Sequence, residues 1–156
     1  MVEFNLTTGT IRDLDLLVTH RLLMWRDIHP ELAKEIEGSR EANKNWIQSK
    51  ILEGSMVPFI VRTTNGEIAG SGCILVKEDQ PRPGSDQIKF PYLMSMYTVP
   101  EFRRKGVASL IVTEAIKWSQ ENNFDRISLH SSKDGIGLYK KFGFTQTNEM
   151  RLKLDT

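Results

Sequence analysis

Apolar and polar positions alternate with different periods along the chain, and each period predicts one kind of element. Residues 2–7 alternate as in a half-buried strand, and apolar residues at helical spacing follow over 11–28, with Trp25 on the apolar face. A second helical pattern covers 39–54, where Ser39 begins the helix and Gly54 ends it. Between them, the polar residues 31–37 predict a loop or a short helical turn. The N-terminal third is therefore expected to form one strand and two helices.

The central part of the chain consists of short runs of β-forming residues. Strands are predicted over 57–63, 68–77 and 90–98. Asn65-Gly66 is a typical hairpin turn between the first two, and a polar segment over 78–89 with two prolines predicts a mobile connection to the third. Gly70 and Gly72 interrupt the second of these strands, which indicates a bulge or a close approach of two backbones.

The last third alternates helices and strands. The pattern predicts a helix from Val107 to Asn122-Asn123, a strand over 126–129, a short helix over 134–142 ended by Gly143, and two closing strands over 144–147 and 150–154. The whole order is β-α-α-β-β-β-α-β-α-β-β, which favours an α/β class with a mixed sheet and helices on both faces. Without a repeat or a linker, residues 1–156 are expected to form a single domain.

Composition narrows the classes of protein that need considering. A chain of 156 residues with 39% hydrophobic and 26% charged residues suits one soluble globular domain, and a net charge of +1 argues against a general nucleic-acid binder. The single cysteine, Cys73, excludes an intrachain disulfide and a cysteine-based metal site, and no metal is expected. Neither a signal peptide nor a membrane-spanning run is recognisable, so a cytoplasmic location without membrane partners is the expectation.

The segment from Val99 to Ala108 carries the strongest chemical signal. It connects a predicted strand to a predicted helix and contains Arg103, Arg104, Lys105 and Gly106. A helix N-terminus offers N–H groups without intrahelical partners and a partial positive charge, and glycine lets an anion approach the backbone. Such a turn is suited to phosphate. The alternative is an ordinary strand-to-helix connection whose basic side chains keep the surface soluble.

Two segments together resemble the GCN5-related N-acetyltransferase (GNAT) family. Residues 103–108, Arg-Arg-Lys-Gly-Val-Ala, resemble its Gln/Arg-x-x-Gly-x-Gly/Ala signature, and residues 132–144 resemble its Asn-x-x-Ala-x-x-Leu-Tyr-x-x-x-Gly-Phe signature. The second segment departs from the pattern at Ser132, where Asn is common, and at Gly135, where Ala is common. The predicted order of elements matches that of the family over nearly the whole chain, including a central sheet that splays apart.

The resemblance implies an enzyme that takes an acetyl group from acetyl-CoA and transfers it directly to a primary amine. Main-chain groups of the strand before the turn would pair with the pantetheine arm and polarise the thioester, and the turn would hold the pyrophosphate. The cofactor-binding residues expected on this basis are Met96, Tyr97, Thr98, Arg103, Arg104, Lys105, Gly106, Val107, Ala108, Ser109, Ser132 and Gly135. The acceptor, a small-molecule or peptide amine, is not identified, and both a monomer and a homodimer are compatible.

Tyr139 is the expected catalytic residue. A phenol with a pKa of about 10 is protonated at neutral pH and can donate its proton to the departing CoA thiolate. The alternative is that Tyr139 only packs beside its apolar neighbours. The base for the amine stays open between His130, a carboxylate such as Glu101 or Asp134, and water. A non-catalytic acyl-CoA-binding or regulatory module on the same fold is the alternative function, since it would use the basic turn but not Tyr139.

Overall fold

A five-stranded mixed sheet is the centre of the computed structural model, which describes residues 2–155. Its strands are β1 Phe4–Thr8, β2 Met56–Thr63, β3 Ile68–Glu78, β4 Lys89–Thr98 and β5 Ser128–Leu129. They lie in the order β1-β2-β3-β4-β5, in which the first four are antiparallel neighbours and β5 runs parallel to β4. The mixed α/β architecture predicted from the order of elements is confirmed.

Within residues 2–155, five α-helices pack around the sheet. They are α1 Leu14–Ile28, α2 Ala33–Gly38, α3 Arg40–Leu52, α4 Val107–Glu121 and α5 Ile136–Lys141. The predicted helix ends are confirmed at Gly54, Asn123 and Gly143, which have φ values of +83°, +61° and +95°. Such left-handed residues end helices because they turn the chain away from the helix axis. The segment left open as loop or helical turn contains α2.

The two faces of the sheet are covered by different helices. On one face, α4 packs its buried residues Val107, Ile111, Val112 and Ala115 against apolar side chains of β2, β3 and β4. On the other face, α1, α2 and α3 bury a second apolar cluster against Met56, Cys73 and Leu75. Trp25, predicted to lie on the apolar face of the helix, is not buried there, because 36% of its surface is exposed near the end of α1.

Gly70 and Gly72 of β3 lie where β4 and α4 come very close to this strand, which confirms the predicted close approach. A Cβ atom at Gly70 would lie 2.7 Å from the Tyr97 carbonyl oxygen and 2.7 Å from Val107 Cγ1, and one at Gly72 would lie 2.5 Å from Met96 Sδ. The register between β3 and β4 shifts opposite Gly72, so that Ser95 and Met96 occupy the space of one residue. The extra residue of this bulge lies in β4, and Ser95 has a φ of +57°.

The predicted closing strands over 144–147 and 150–154 are wrong for this structure, since residues 144–155 contain no strand. Met150, Leu152 and Leu154 alternate with polar residues, but they are 93%, 81% and 71% exposed. A strand forms only when a neighbour supplies its hydrogen bonds. The last strand of the sheet, β5, has two residues instead of the four predicted, so it offers little edge for pairing.

Candidate active site

β4 has an open main-chain edge over its second half. It pairs with β5 only at Tyr92–Ser128 and Leu93–Leu129, although it continues to Thr98. The Val99 N–H donates to the Ala69 carbonyl of β3 at 2.9 Å, so by alternation the main chain of Thr98 faces the other edge, where its carbonyl accepts a hydrogen bond from Arg103 Nε at 3.0 Å. By the alternation of an antiparallel strand, the main chain of Met96 faces the same edge. That of Tyr97 faces β3, where it is paired with Ser71.

The open edge leads to the N-terminus of α4. Gly106 precedes the helix with a φ of +91°, and the first i→i−4 hydrogen bond runs from Leu110 N–H to the Gly106 carbonyl at 3.0 Å. The N–H groups of Val107, Ala108 and Ser109 therefore have no acceptor within the helix. A Cβ atom at Gly106 would meet nothing within 4 Å, which leaves room beside these donors. The residues present fit a diphosphate.

The three basic side chains of the turn differ in their contacts. Arg103 Nη2 lies 2.7 Å from Asp27 Oδ2 near the end of α1, and Lys105 Nζ donates to the Glu101 carbonyl at 3.0 Å. The exposed side chain of Arg104, whose φ is +60°, forms no hydrogen bond or ion pair with any residue of the described range 2–155. Arg104 is therefore the most available cation of the three, whereas Arg103 connects β4 to α1.

Tyr139 lies on α5, and its side chain is partly buried. Its ring meets the ring of Phe144 edge to face at 5.8 Å, and a Cβ atom at Gly135 would come within 3.1 Å of its Cε2. Gly135, expected as a cofactor contact, thus leaves room for the tyrosine ring. Burial raises the pKa of Tyr139 above its ordinary value, so the phenol is protonated at neutral pH. Within residues 2–155 its hydroxyl has no hydrogen-bond partner.

Ser132 stabilises the turn that leads into α5. Ser132 Oγ accepts a hydrogen bond from the Gly135 N–H at 3.3 Å, which is the role of a residue at a helix start. Asp134 makes no such bond, and its carboxylate is exposed. Ser132, expected to contact the cofactor, therefore also shapes the loop that leads to Tyr139.

A cavity of about 1210 Å³ lies between β5, α5 and residues 144–149. It is lined by Tyr139, Tyr92, His130 and Glu149, but by no residue of the basic turn. His130 Nδ1 is hydrogen-bonded to the Tyr92 hydroxyl, and His130 Nε2 lies 3.1 Å from Glu149 Oε2. With both ring nitrogens engaged, His130 has none left for an acceptor amine. Tyr92 and Glu149 could not be predicted from the sequence, because they share no motif with His130.

Unlike the exposed His130, the histidine of α1, His20, is buried against the sheet. His20 on α1 is 5% exposed, its Nδ1 lies 2.7 Å from Ser71 Oγ, and its ring lies 4.9 Å from that of Tyr97. Burial lowers the pKa of His20 to about 4, so the imidazole is neutral at physiological pH. This neutral contact supports the strand that carries the open edge.

Comparison with known proteins decides the family. The model of the acetyltransferase (GNAT) family matches residues 22–144, which include the turn, the open edge and Tyr139. The chain belongs to the GNAT family. This confirms the resemblance found in the two sequence motifs. A search of curated proteins returned no match.

Solved structures show the same GNAT fold. A GCN5-related N-acetyltransferase from Ralstonia eutropha JMP134 is 23% identical, with a TM-score of 0.90 over 97% of this chain and 99% of that one. A protein from Clostridium acetobutylicum described as a predicted acetyltransferase, solved with acetyl-CoA, is 25% identical, with a TM-score of 0.83 over 98% of this chain and 96% of that one. Glucosamine-6-phosphate N-acetyltransferase from Arabidopsis thaliana is 17% identical, with a TM-score of 0.68 over 97% and 98%.

Residues 2–155 of this GNAT chain contain neither a cluster of metal ligands nor a membrane-spanning helix. In that range no three His, Cys, Asp or Glu residues come close enough together to hold a metal ion. None of the helices in the same range combines the length and the apolar character that crossing a membrane requires.

Proposed function

We propose that the protein transfers an acetyl group from acetyl-CoA directly to a primary amine, with Tyr139 as the general acid. The observation that carries the proposal is that one segment of chain combines a strand edge not paired with β5 at Met96 and the unpaired N–H groups of Val107–Ser109 at the start of α4. A pantetheine arm has amide groups that match a strand edge, and a pyrophosphate matches a helix N-terminus. The acetyl-CoA complex of the Clostridium acetobutylicum relative supports the same donor.

The proposed contacts follow the geometry from one end of the donor to the other. The N–H groups of Val107, Ala108 and Ser109 bind the pyrophosphate, Gly106 lets it approach, and Arg104 adds charge-assisted hydrogen bonds. Arg103 and Lys105 contribute only if they leave their present partners. The Met96 N–H polarises the thioester carbonyl, and Ser132 and Gly135 border the site from the α5 side.

The chemistry needs one proton donor at the sulfur. The amine nitrogen attacks the carbonyl carbon, the carbon–sulfur bond breaks, and Tyr139 donates its phenolic proton to the thiolate. The amine loses one proton to solvent, and solvent returns one to Tyr139, so that an amide and a thiol are formed. The thiol of CoA has a pKa of about 8.5 if it behaves like cysteine, which lies close enough to that of a phenol for transfer.

The acceptor cannot be carried over from the related structures. AAC(6')-Iy is an aminoglycoside N-acetyltransferase, and the Arabidopsis thaliana enzyme acts on glucosamine-6-phosphate, but they are 14% and 17% identical to this chain. Likeness at that level supports the fold and leaves the amine open. A small-molecule or peptide amine remains the proposal.

The test combines acetyl-CoA binding with thiol release over a panel of amines. Tyr139→Phe should lower kcat by about 10²- to 10⁴-fold with the Kd for acetyl-CoA unchanged, because only the proton donor is lost. Tyr92→Phe, which removes a second hydroxyl from the same cavity, is the matched control and should keep its turnover.

Three outcomes contradict parts of the proposal. Equal losses in Tyr139→Phe and Tyr92→Phe would remove the specific role of Tyr139. Binding of acetyl-CoA without thiol release for any amine would favour the non-catalytic module. Neither a thermal shift with acetyl-CoA nor thiol release would overturn the proposal entirely.

A further inference from the structure

α1 carries a cation that is half-buried and lacks a counter-charge. Arg21 Nε donates to Asn43 Oδ1 at 2.8 Å and Nη1 donates to Ser95 Oγ at 2.9 Å, so both partners are neutral. No ion pair within residues 2–155 includes Arg21. Burial lowers the pKa of the guanidinium, which shows that the charged form has lost water without gaining a carboxylate.

Of the nine other arginines of the chain, five form ion pairs with carboxylates, and the four that form none within residues 2–155 are exposed, namely Arg12, Arg26, Arg82 and Arg104. Ion pairs with carboxylates are formed by Arg40, Arg62, Arg103, Arg126 and Arg151. A guanidinium removed from water is costly unless its charge and its hydrogen bonds are compensated. Arg21 would therefore gain the most from a bound anion, which would supply the negative charge and the hydrogen-bond acceptors that this guanidinium lacks.

The neutral partners hold the guanidinium in one orientation. Asn43 Nδ2 donates to the carbonyl and to the Oγ of Ser39, both at 3.0 Å, and this fixes the amide oxygen toward Arg21. The Trp25 ring centroid lies 5.8 Å from Arg21 Cζ. These contacts occupy Nε and one hydrogen of Nη1. They leave Nη2 without a partner in the described range, and a planar guanidinium is suited to bidentate binding of a carboxylate.

The position of Arg21 connects this anion site to the proposed reaction. Ser95, which accepts from Arg21, is the left-handed residue of the β4 bulge. The next residue, Met96, is the one whose main chain faces the open edge and, in the proposed function, the thioester. An anion held by Arg21 would thus lie beside the reacting carbonyl, on the α1 side of the sheet.

We propose that Arg21 binds a carboxylate of the acceptor, so that the acceptor is an amine of amino-acid type. The inference rests on the proposed function, because it assigns the acceptor end of the same site. A carboxylate near the amino group would be held by the guanidinium while the amine reaches the thioester. Arg21 is then a specificity-determining residue of the acceptor site.

The experiment compares acids with their uncharged analogues. L-α-amino acids and β-amino acids are each paired with the corresponding carboxamide, and thiol release from acetyl-CoA is followed at constant pH. We expect kcat/KM to be about 10- to 100-fold higher for the acid of the preferred pair. The free energy that a hydrogen bond to a charged group contributes corresponds to a ratio of that size. Equal kcat/KM for acids and amides, or a preference for phosphorylated amines, would overturn the inference.

Variants separate recognition from support of the fold. Arg21→Gln should abolish the preference for the acid, Arg21→Lys should retain part of it, and Arg26→Gln, at an exposed arginine of the same helix, should leave it unchanged. A merely structural role would lower kcat/KM for acid and amide alike. If Arg21→Gln does not fold, Arg21→Lys and the acid–amide ratio of the wild type still decide.

A binding measurement keeps the inference separate from turnover. N-acetylated amino acids and their amides, which are the products of the proposed reaction, are titrated into the wild type with CoA present. Tighter binding of the acids that is lost in Arg21→Gln supports the carboxylate site even if no tested amine releases thiol. Equal binding of the acids and their amides would overturn the carboxylate site. If, in addition, amines without a carboxylate released thiol, the proposed acetyl transfer would still hold without the inference about Arg21.

Discussion

The two faces of the sheet bury different kinds of side chains. Under α4, the cluster around Phe59, Ile74 and Ile111 is apolar and closed to solvent. Under α1 and α3, the face with the second apolar cluster also has polar contacts, in which His20 is hydrogen-bonded to Ser71 and the neighbouring Arg21 to Ser95. In the proposed function, the backbone of α4 on one face binds the donor, whereas side chains on the α1 face bind the acceptor. Recognition by backbone suits a constant donor, and recognition by side chains suits an acceptor that differs between relatives.

The bulge in β4 joins these two faces. Before it, Met94 packs with the α1 cluster, and after it, Met96 packs with the α4 cluster, although the two residues are separated by one position. In a regular strand both would lie on the same face. The extra residue therefore reverses the alternation at the point where the proposed donor and acceptor sites meet.

The largest expected effect tests the α4 face. Ile111→Ala should destabilise the protein by about 2–5 kcal/mol, because the side chain is fully buried and leaves a cavity. Urea unfolding gives the value. Leu110→Ala, one position away and at a site with 38% exposure, should stay within about 0.5 kcal/mol of the wild type. Similar losses at both positions would contradict the view of α4 as an apolar support.

The next effect is a pH dependence on the α1 face. An unfolded histidine binds a proton near pH 6.5 and folded His20 near pH 4, so between these values the unfolded state binds more protons. The free energy of unfolding should fall as the pH is lowered through this window, with a contribution of roughly 3 kcal/mol from His20. His20→Asn, which cannot be protonated, should lack that contribution.

Unfolding free energies of both proteins at pH 7, 5.5 and 4.5 check this prediction. Carboxylates titrate alike in the wild type and in the variant, so the difference between the two curves isolates His20. Parallel curves would mean that His20 is not kept neutral by burial.

A glycine beneath the site should give an intermediate effect. Gly70→Ala should destabilise the protein by roughly 1–3 kcal/mol, because the new Cβ would lie 2.7 Å from both Tyr97 O and Val107 Cγ1. Gly137→Ala is the matched control, since its Cβ would meet nothing within 4 Å and alanine favours the helix by up to about 1 kcal/mol. Thermal unfolding should therefore shift in opposite directions for the two variants.

The smallest effect is expected at the contact between α1 and the basic turn. Asp27→Asn removes the ion pair to Arg103, whose side chains are 53% and 44% exposed, so the loss should be at most about 1 kcal/mol. Measurement at low salt and in 1 M NaCl should show that the difference disappears on screening. A larger, salt-independent loss would mean that this contact organises the turn.

Local patterns were enough to predict most of the fold, including the turn to which the donor side of the proposed site is assigned. Helix periods, the Asn65-Gly66 turn and the segment 103–108 are contiguous in sequence, and each determines its own conformation. The position of Gly70 could be predicted too, because few residues besides glycine permit so close an approach. These features do not depend on distant partners.

The remaining features depend on pairs that sequence spacing does not reveal. Arg21 meets Ser95 across 74 positions, and Arg103 meets Asp27 across 76. The alternation around Leu152 is typical of a strand, but a strand also needs a partner edge, which β5 does not supply. A left-handed serine at position 95 has no signature, since such conformations in residues other than glycine are set by the surrounding structure.

The open edge of β4 also has a consequence for handling the protein. An unpaired strand edge is a template on which another polypeptide can add a strand, and proteins usually protect such edges with charge, proline or a covering element. Beyond Leu93 β4 is not paired with β5, and Arg103 Nε donates to the Thr98 carbonyl on that edge at 3.0 Å. Because a pantetheine arm would cover the same groups, acetyl-CoA in the storage buffer should suppress edge-to-edge aggregation during concentration, which light scattering can follow.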